Sequence, residues 1–266
     1  MIRVAVVGHV EWVEFVRVQS LPPPGGLVEG APVFEHAGGG AVVAAAVLAE
    51  LGAEVDFLCA LGDDERGRRA LGELGERGIT VHPAVRPHAP TRHVFTLLDD
   101  SNERTIVTVG ERLAPAGVDP LPWEVLADAD GVYLTAGDPE AQRRARRTRT
   151  LTVTPRAGAP AADLVVDALI LSAGDADERG LAAAWHDHAA LTVVTEGGEG
   201  GHWSGAAGSG RWRAAPLPGP ARDSYGAGDA FAAGFTFGLA RGSHPAAAAE
   251  LGARCGARTM TRVGAP

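Results

Sequence analysis

The seven residues Asp223-Ser224-Tyr225-Gly226-Ala227-Gly228-Asp229 run directly into the apolar stretch Ala230 to Ala240, and their types and spacing suit anion chemistry. Two glycines one residue apart let backbone N–H groups converge without Cβ obstruction, and the start of the following helix adds unpaired donors and a positive dipole end. A phosphate fits such a cradle. Asp229 in the first turn places a carboxylate beside the anion, where it can accept a proton from an attacking hydroxyl. The competing reading is ordinary helix-start chemistry, because Gly-x-Gly before a helix and an acid at its first turn are common.

Composition narrows the mechanisms. All 24 basic residues are arginine and none is lysine. A Walker A loop, a protein-kinase strand lysine and a pyridoxal Schiff base are thereby excluded. The formal charge of −9 and the lack of a basic block argue against nucleic acid as a partner, the cluster Arg143, Arg144, Arg146, Arg147 and Arg149 reading as a solvated helix face. No apolar run approaches a membrane span and the first residues lack a signal-peptide layout, so a cytoplasmic protein is expected. The two cysteines, Cys59 and Cys255, sit in apolar settings and read as core residues.

The elements that must position the motif alternate in type. Apolar runs at Arg3 to Val7, Val55 to Ala60, Gly131 to Thr135, Leu151 to Thr154, Ala168 to Leu171 and Thr192 to Thr195 read as strands. Helical patterns fall at Gly40 to Leu51, Glu65 to Arg77, Pro139 to Arg147, Asp175 to His188, Ala227 to Ala240 and Pro245 to Met260. This is an α/β rhythm with a mostly parallel sheet, whose ligands bind beyond the carboxyl ends of the strands. Two stretches break it: Glu11 to His36, and Thr91 to Val109 with the turn Asp99-Asp100-Ser101-Asn102. They read as paired strands of a small β lid, at approximately 11–36 and 91–110, inserted in one domain spanning 1–266. Exposed edges of such a lid invite pairing into a homodimer.

Further glycine-rich turns join these elements. Ala37-Gly38-Gly39-Gly40 opens an alanine-rich helix, and Leu61-Gly62-Asp63-Asp64 follows a strand. Thr195-Glu196-Gly197-Gly198-Glu199-Gly200-Gly201 offers unobstructed donors to a nucleotide, or else makes a tight hairpin turn.

In this order, Gly-Gly before an early helix, Gly-Asp-Asp, late Thr-x-Gly-x-x-Gly and Asp-x-x-Gly-Ala-Gly-Asp, the chain resembles the ribokinase-like (PfkB) carbohydrate kinase family over nearly its whole length. The ending Ala257 to Ala265 is also similar to the family's closing segment, a strand-like turn under the nucleotide. The resemblance implies a three-layer α/β sandwich with a small β lid and a kinase that moves the γ-phosphate of ATP, with Mg²⁺, to a hydroxyl of a small metabolite. A sugar or sugar derivative ranks first and a nucleoside second. A kinase-fold protein that binds without turnover is the rival class.

The resemblance also assigns residues. Asp229 becomes the base, with Gly226, Ala227 and Gly228 as the anion hole. Thr195, Gly197, Gly200 and Asp223 fall to the nucleotide side, Asp223 being the acid that in some relatives helps hold a monovalent cation. Glu11, Trp12, Gly38, Gly39 and Arg112 fall to the substrate side, with His9 and His36 nearby. The aspartate and asparagine that usually grip sugar hydroxyls align with Val13 and Val43, which cannot replace them. In place of the family's Asn-x-x-Glu motif stands Ser172-Ala173-Gly174-Asp175-Ala176-Asp177-Glu178, whose Asp175 and Glu178 form an acidic pair for a hydrated metal.

Overall fold

The computed structural model describes residues 1–100, 104–206 and 208–266, so Ser101 and Asn102 of the expected turn lie outside the described residues. Among the described residues thirteen strands form two sheets. The larger has nine strands, in the order β13-β12-β11-β10-β9-β8-β1-β4-β5. They are β1 (Arg3–His9), β4 (Glu54–Gly62), β5 (Thr80–Arg86), β8 (Gly131–Leu134), β9 (Leu151–Val153), β10 (Ala168–Ser172), β11 (Leu191–Thr195), β12 (Gly201–Gly205) and β13 (Gly208–Trp212). Pairing is parallel from β5 to β11 and antiparallel through β12 and β13. The chain builds outward in both directions from β1, which makes the carboxyl end of β1 a switch point where such sheets open a crevice.

Helices cover both faces. On one lie α1 (Gly40–Glu50), α2 (Glu65–Glu76), α6 (Ala227–Ala240) and α7 (Pro245–Thr259); on the other lie α3 (Val125–Asp128), α4 (Pro139–Ala145) and α5 (Ala176–Ala182), followed by a 3₁₀ turn carrying the buried Trp185. This is the expected three-layer sandwich. The helix expected over Asp175 to His188 stops being α-helical after Ala182. Strands β5, β12 and β13 were not anticipated, because Pro83 and the glycines of Gly201–Gly205 speak against strand; β5 and β13 lie at the sheet edges, and β5 is where a proline is tolerated.

Helices α1 and α6 carry the site, and their sequences explain their depth. Ala41 through Leu48 are all buried, so α1 lies inside the structure, as a helix without a polar face must. Helix α6 packs on α7 through small residues: a Cβ at Gly234 would press on Cys255, and one at Gly238 on Ala248. Close approach of the two backbones brings α6 against the core with its N-terminus at the top of the crevice.

The second sheet has four strands in the order β3-β2-β6-β7: β2 (Glu11–Arg17), β3 (Ala31–Gly38), β6 (Arg92–Leu98) and β7 (Arg104–Val109). Its inner face buries Val13, Phe15, Val94 and Leu98 against Tyr225 of the glycine motif. Phe15 stacks on Phe34 at 4.4 Å and meets Tyr225 edge-on at 5.9 Å. The lid thus sits directly on the loop that leads into α6.

Candidate active site

Two helix N-termini converge at the carboxyl end of β1. Gly39, with φ of 94°, is the N-cap of α1, and Gly226, with φ of 71°, is that of α6. Both values lie where only glycine is unstrained. Gly226 is also closely packed, since a Cβ there would press on Val43 and on Ala265. Gly228 is different: a Cβ added there meets nothing within 4 Å. That open space adjoins the first turn of α6, whose unpaired amides have the chemistry to meet an anion.

The Asp229 carboxylate lies between the two helix starts, close enough to Gly40 that any side chain there would collide with it. Burial, reinforced by the charge of Glu178, pushes Asp229 up to about 6, Arg112 working in the opposite sense. A carboxylate with that value is a better proton acceptor than an ordinary aspartate yet is still ionised at neutral pH. The buried Tyr133 hydroxyl is pushed well up by its burial and by the charges of Asp229 and Glu178.

On the lid side, Glu11 begins β2 opposite Arg92 of β6, with 3.2 Å between carboxylate and guanidinium. His9 at the end of β1 lies 3.5 Å from the same Glu11 oxygen, and its Nδ1 is buried without a partner. Burial pulls His9 down, so the neutral ring is favoured. For Glu11 burial works upward, but the His9 contact and the charges of Arg92 and Arg112 outweigh it and hold the carboxyl low. Arg112 reaches across the crevice, donating from Nη1 to the Arg156 carbonyl at 2.8 Å and from Nη2 to the Thr135 carbonyl at 3.0 Å. Among the described residues no carboxylate lies within ion-pair distance of it. Arg92 was not anticipated, since nothing in Pro90-Thr91-Arg92 marks it before β6 is paired to β2. Gly38 and Gly39 join this group: Gly39 N–H donates to the Tyr225 hydroxyl at 2.9 Å, and a Cβ at Gly39 would press on His9 and Glu11.

Several expected site residues are placed differently. Trp12 does not line the crevice: it is 1% exposed, its indole N–H donates to Glu35 at 2.9 Å, and Arg69 covers its ring at 4.2 Å. Successive residues of a strand point to opposite faces, so with Glu11 in the crevice Trp12 must turn away. Val13 and Val43 are buried, the first against Gly38 and the second against Gly226, so neither offers a ligand contact.

Asp223, expected on the nucleotide side, is held by protein groups. Its side chain is 6% exposed, and its oxygens accept from Arg104 Nη1 at 2.9 Å, Tyr225 N–H at 2.9 Å and Gly264 N–H at 3.0 Å. The closing segment is no strand: α7 runs to Thr259 and a turn brings Gly264 beneath the loop.

Asp175 and Glu178 do come together at the end of β10, but as the anchor of an arginine. Asp175 caps α5 by accepting from Asp177 and Glu178 N–H, both at 3.0 Å, and Glu178 accepts from Ser172 N–H at 2.8 Å. The remaining oxygens hold Arg156, at 2.5 Å from Asp175 and 3.3 Å from Glu178. The pair offers a metal no free oxygen in this arrangement, and among the described residues no cluster of His, Cys, Asp and Glu suited to a metal occurs. Arg156 was missed, although its place just beyond the carboxyl end of β9 was a signal.

Thr195 ends β11, donates its hydroxyl to the Leu171 carbonyl and accepts from Ala173 N–H at 2.9 Å, so its turn abuts the Asp175 segment. Gly197 and Gly200, with φ of 59° and 89°, make the turn of the β11–β12 hairpin. The run therefore forms a hairpin turn, at the carboxyl end of β11. Of the arginine cluster, Arg143, Arg144, Arg146 and Arg149 pair with Glu140, Asp163, Asp167 or Asp130. Among the described residues no helix is long and apolar enough to cross a membrane.

The open space over Gly228 gives a direct test. Gly228→Ala introduces no clash and replaces glycine within a helix, so the melting temperature should hold or rise, while the new methyl fills the anion space. Turnover should fall on the order of 100-fold, as for loss of one oxyanion donor. Parallel thermal melts and initial rates check both halves.

Comparison with known proteins places this geometry. The chain is 29% identical over 286 residues to the ATP-dependent ribose-1-phosphate kinase of Halopiger xanaduensis, an alignment covering 100% of this chain and 94% of that protein. Among solved structures it superposes on the ribokinase of Thermotoga maritima with a TM-score of 0.79 at 21% identity, covering 100% and 95% of the two chains. The Arabidopsis thaliana ribokinase complexed with ribose and ATP gives 0.78 at 19%, with the same coverage. The model of the pfkB family carbohydrate kinases matches residues 1–169 and 162–266, and the chain belongs to that family.

Proposed function

We propose that the chain transfers the γ-phosphate of ATP to a hydroxyl of a small sugar that already carries an anionic group, a phosphorylated pentose first among them. The observation that carries this reading is the placement of Asp229 between two helix N-termini, with Arg112 across the crevice and free of any carboxylate partner among the described residues. The acceptor hydroxyl gives its proton to Asp229 as its oxygen bonds the γ-phosphorus, the bond from that phosphorus to the bridging oxygen breaks, and ADP departs. The first-turn amides and the dipole of α6 stabilise the charge that develops on the transferring group. Mg²⁺ carried on the nucleotide phosphates would neutralise further charge there.

The acceptor pocket supports the anionic substrate. With Val13 and Val43 buried and apolar, the polar groups left to grip a substrate are Glu11, His9, Arg92 and Arg112, a set suited to hydroxyls on one side and an anion on the other. The name of the Halopiger relative points the same way. The experiment is a phosphoryl-transfer screen with product mass detection, offering ATP with ribose, ribose-1-phosphate, other pentose phosphates and nucleosides. The expected product is a pentose bearing two phosphoryl groups. Turnover of neutral sugars or nucleosides alone would overturn the substrate reading, and no transfer to any acceptor would overturn the kinase reading.

A further inference from the structure

Beneath the anion hole a carboxylate is buried with an arginine from the lid, and no other part of the site explains the pair. Asp223 opens the loop whose later amides receive the anion, and its carboxylate is satisfied by Arg104, Tyr225 N–H and Gly264 N–H. A monovalent cation, which the family resemblance implies for this acid, does not fit: both oxygens are engaged and the side chain is 6% exposed. A buried carboxylate nonetheless needs a counter-charge. Here that charge comes from β7, which among the described residues is the edge strand of the lid and pairs with β6.

We propose that Arg104 is a resident cation that takes the place of a monovalent activator under the anion hole and ties the hole to the lid. The proposal rests on the kinase reading above. Its route is short and continuous. Arg104 holds Asp223, Asp223 holds the Tyr225 and Gly264 amides, and the Tyr225 hydroxyl receives the Gly39 N–H at the start of α1. The loop before Gly226 and the cap of α1 are thus set by one lid residue. Arg104 touches no reacting atom, so it is a positioning residue. Its guanidinium, always charged and planar, suits a fixed ion pair in a way that a diffusible ion does not.

The test compares rates in KCl and in tetramethylammonium chloride at equal ionic strength. The wild type should turn over equally in both. Arg104→Met should lose about 10-fold to 100-fold in kcat in tetramethylammonium, the scale of an unpaired buried charge, and regain most of it in KCl, because the vacated space leaves an anionic oxygen for K⁺ to meet. Arg104→Lys, keeping the charge, should remain indifferent to K⁺. Hydrogen exchange gives the readout that does not depend on activity: amides of residues 223–229 and 264–265 should exchange faster in Arg104→Met and be slowed again by K⁺, with circular dichroism checking that the variant is folded. A wild-type rate that climbs several-fold with K⁺, or an Arg104→Met protein unchanged in both rate and exchange, overturns the proposal. A wild type that transfers no phosphate defeats the kinase reading, while the exchange measurement still decides the role of Arg104.

Discussion

Asp229→Asn should lose on the order of 100-fold or more in kcat while still binding ATP, since amide and carboxylate have the same shape and only the proton acceptor is removed. The same residue sets the pH profile. Asp229 works when ionised and is pushed up to about 6, so kcat should rise between pH 5 and 7, be half-maximal near 6 and level off above. Stability runs in the opposite direction. A carboxyl with a raised value in the folded state binds its proton more tightly there than in the unfolded chain, so its contribution is full below about 4 and is lost as pH rises through 6. At pH 8 the Asn variant should therefore melt higher than the wild type, by roughly 2–4 °C if about 1 kcal/mol is recovered. Initial rates across pH, with melts of both proteins, check the whole set. A variant that is both active and no more stable would show that Asp229 is an ordinary helix-start acid.

The second large effect concerns the reactant. Arg112→Met should raise KM for a phosphorylated pentose by about 10-fold to 100-fold, the range for losing a charge-assisted hydrogen bond, and leave KM for neutral ribose nearly unchanged. A purely structural Arg112 would behave otherwise. Because its guanidinium also fastens the Thr135 and Arg156 carbonyls at the ends of β8 and β9, loss of support alone would depress kcat for both sugars together. Arg112→Lys separates these further: it keeps the charge but not the fork, and should restore part of the KM for the anionic sugar. Steady-state kinetics on paired neutral and phosphorylated pentoses decide the matter.

Legibility followed distance along the chain. The turn from Gly226 to Asp229 is built by neighbours, through glycine conformation and the unpaired amides of a helix start, so its geometry was readable in seven letters. The alternating strands and helices were readable for the same reason, because periodicity is local. Glu11 and Trp12 mark where local reading stops. Adjacency on a strand dictates that only one of them faces the crevice, but which one depends on where α2 packs: Arg69 of α2 covers the Trp12 ring and pairs with Glu35 of β3, which accepts the indole N–H.

The chain's own residues, in order, determined the fold family, the glycine turn that starts α6 with Asp229 in its first turn, and the absence of lysine chemistry. Tertiary structure alone decided the charges. Arg92 meets Glu11 across two lid strands, Arg104 meets Asp223 from the lid edge, and Arg156 meets Asp175 and Glu178 across two strand ends. Two of these arginines stand where the sequence suggested metal ions. The reason is physical: a charge pair is set by a few ångströms of space and by what solvent is excluded, and residues from 19 to 119 positions apart carry no local trace of that meeting.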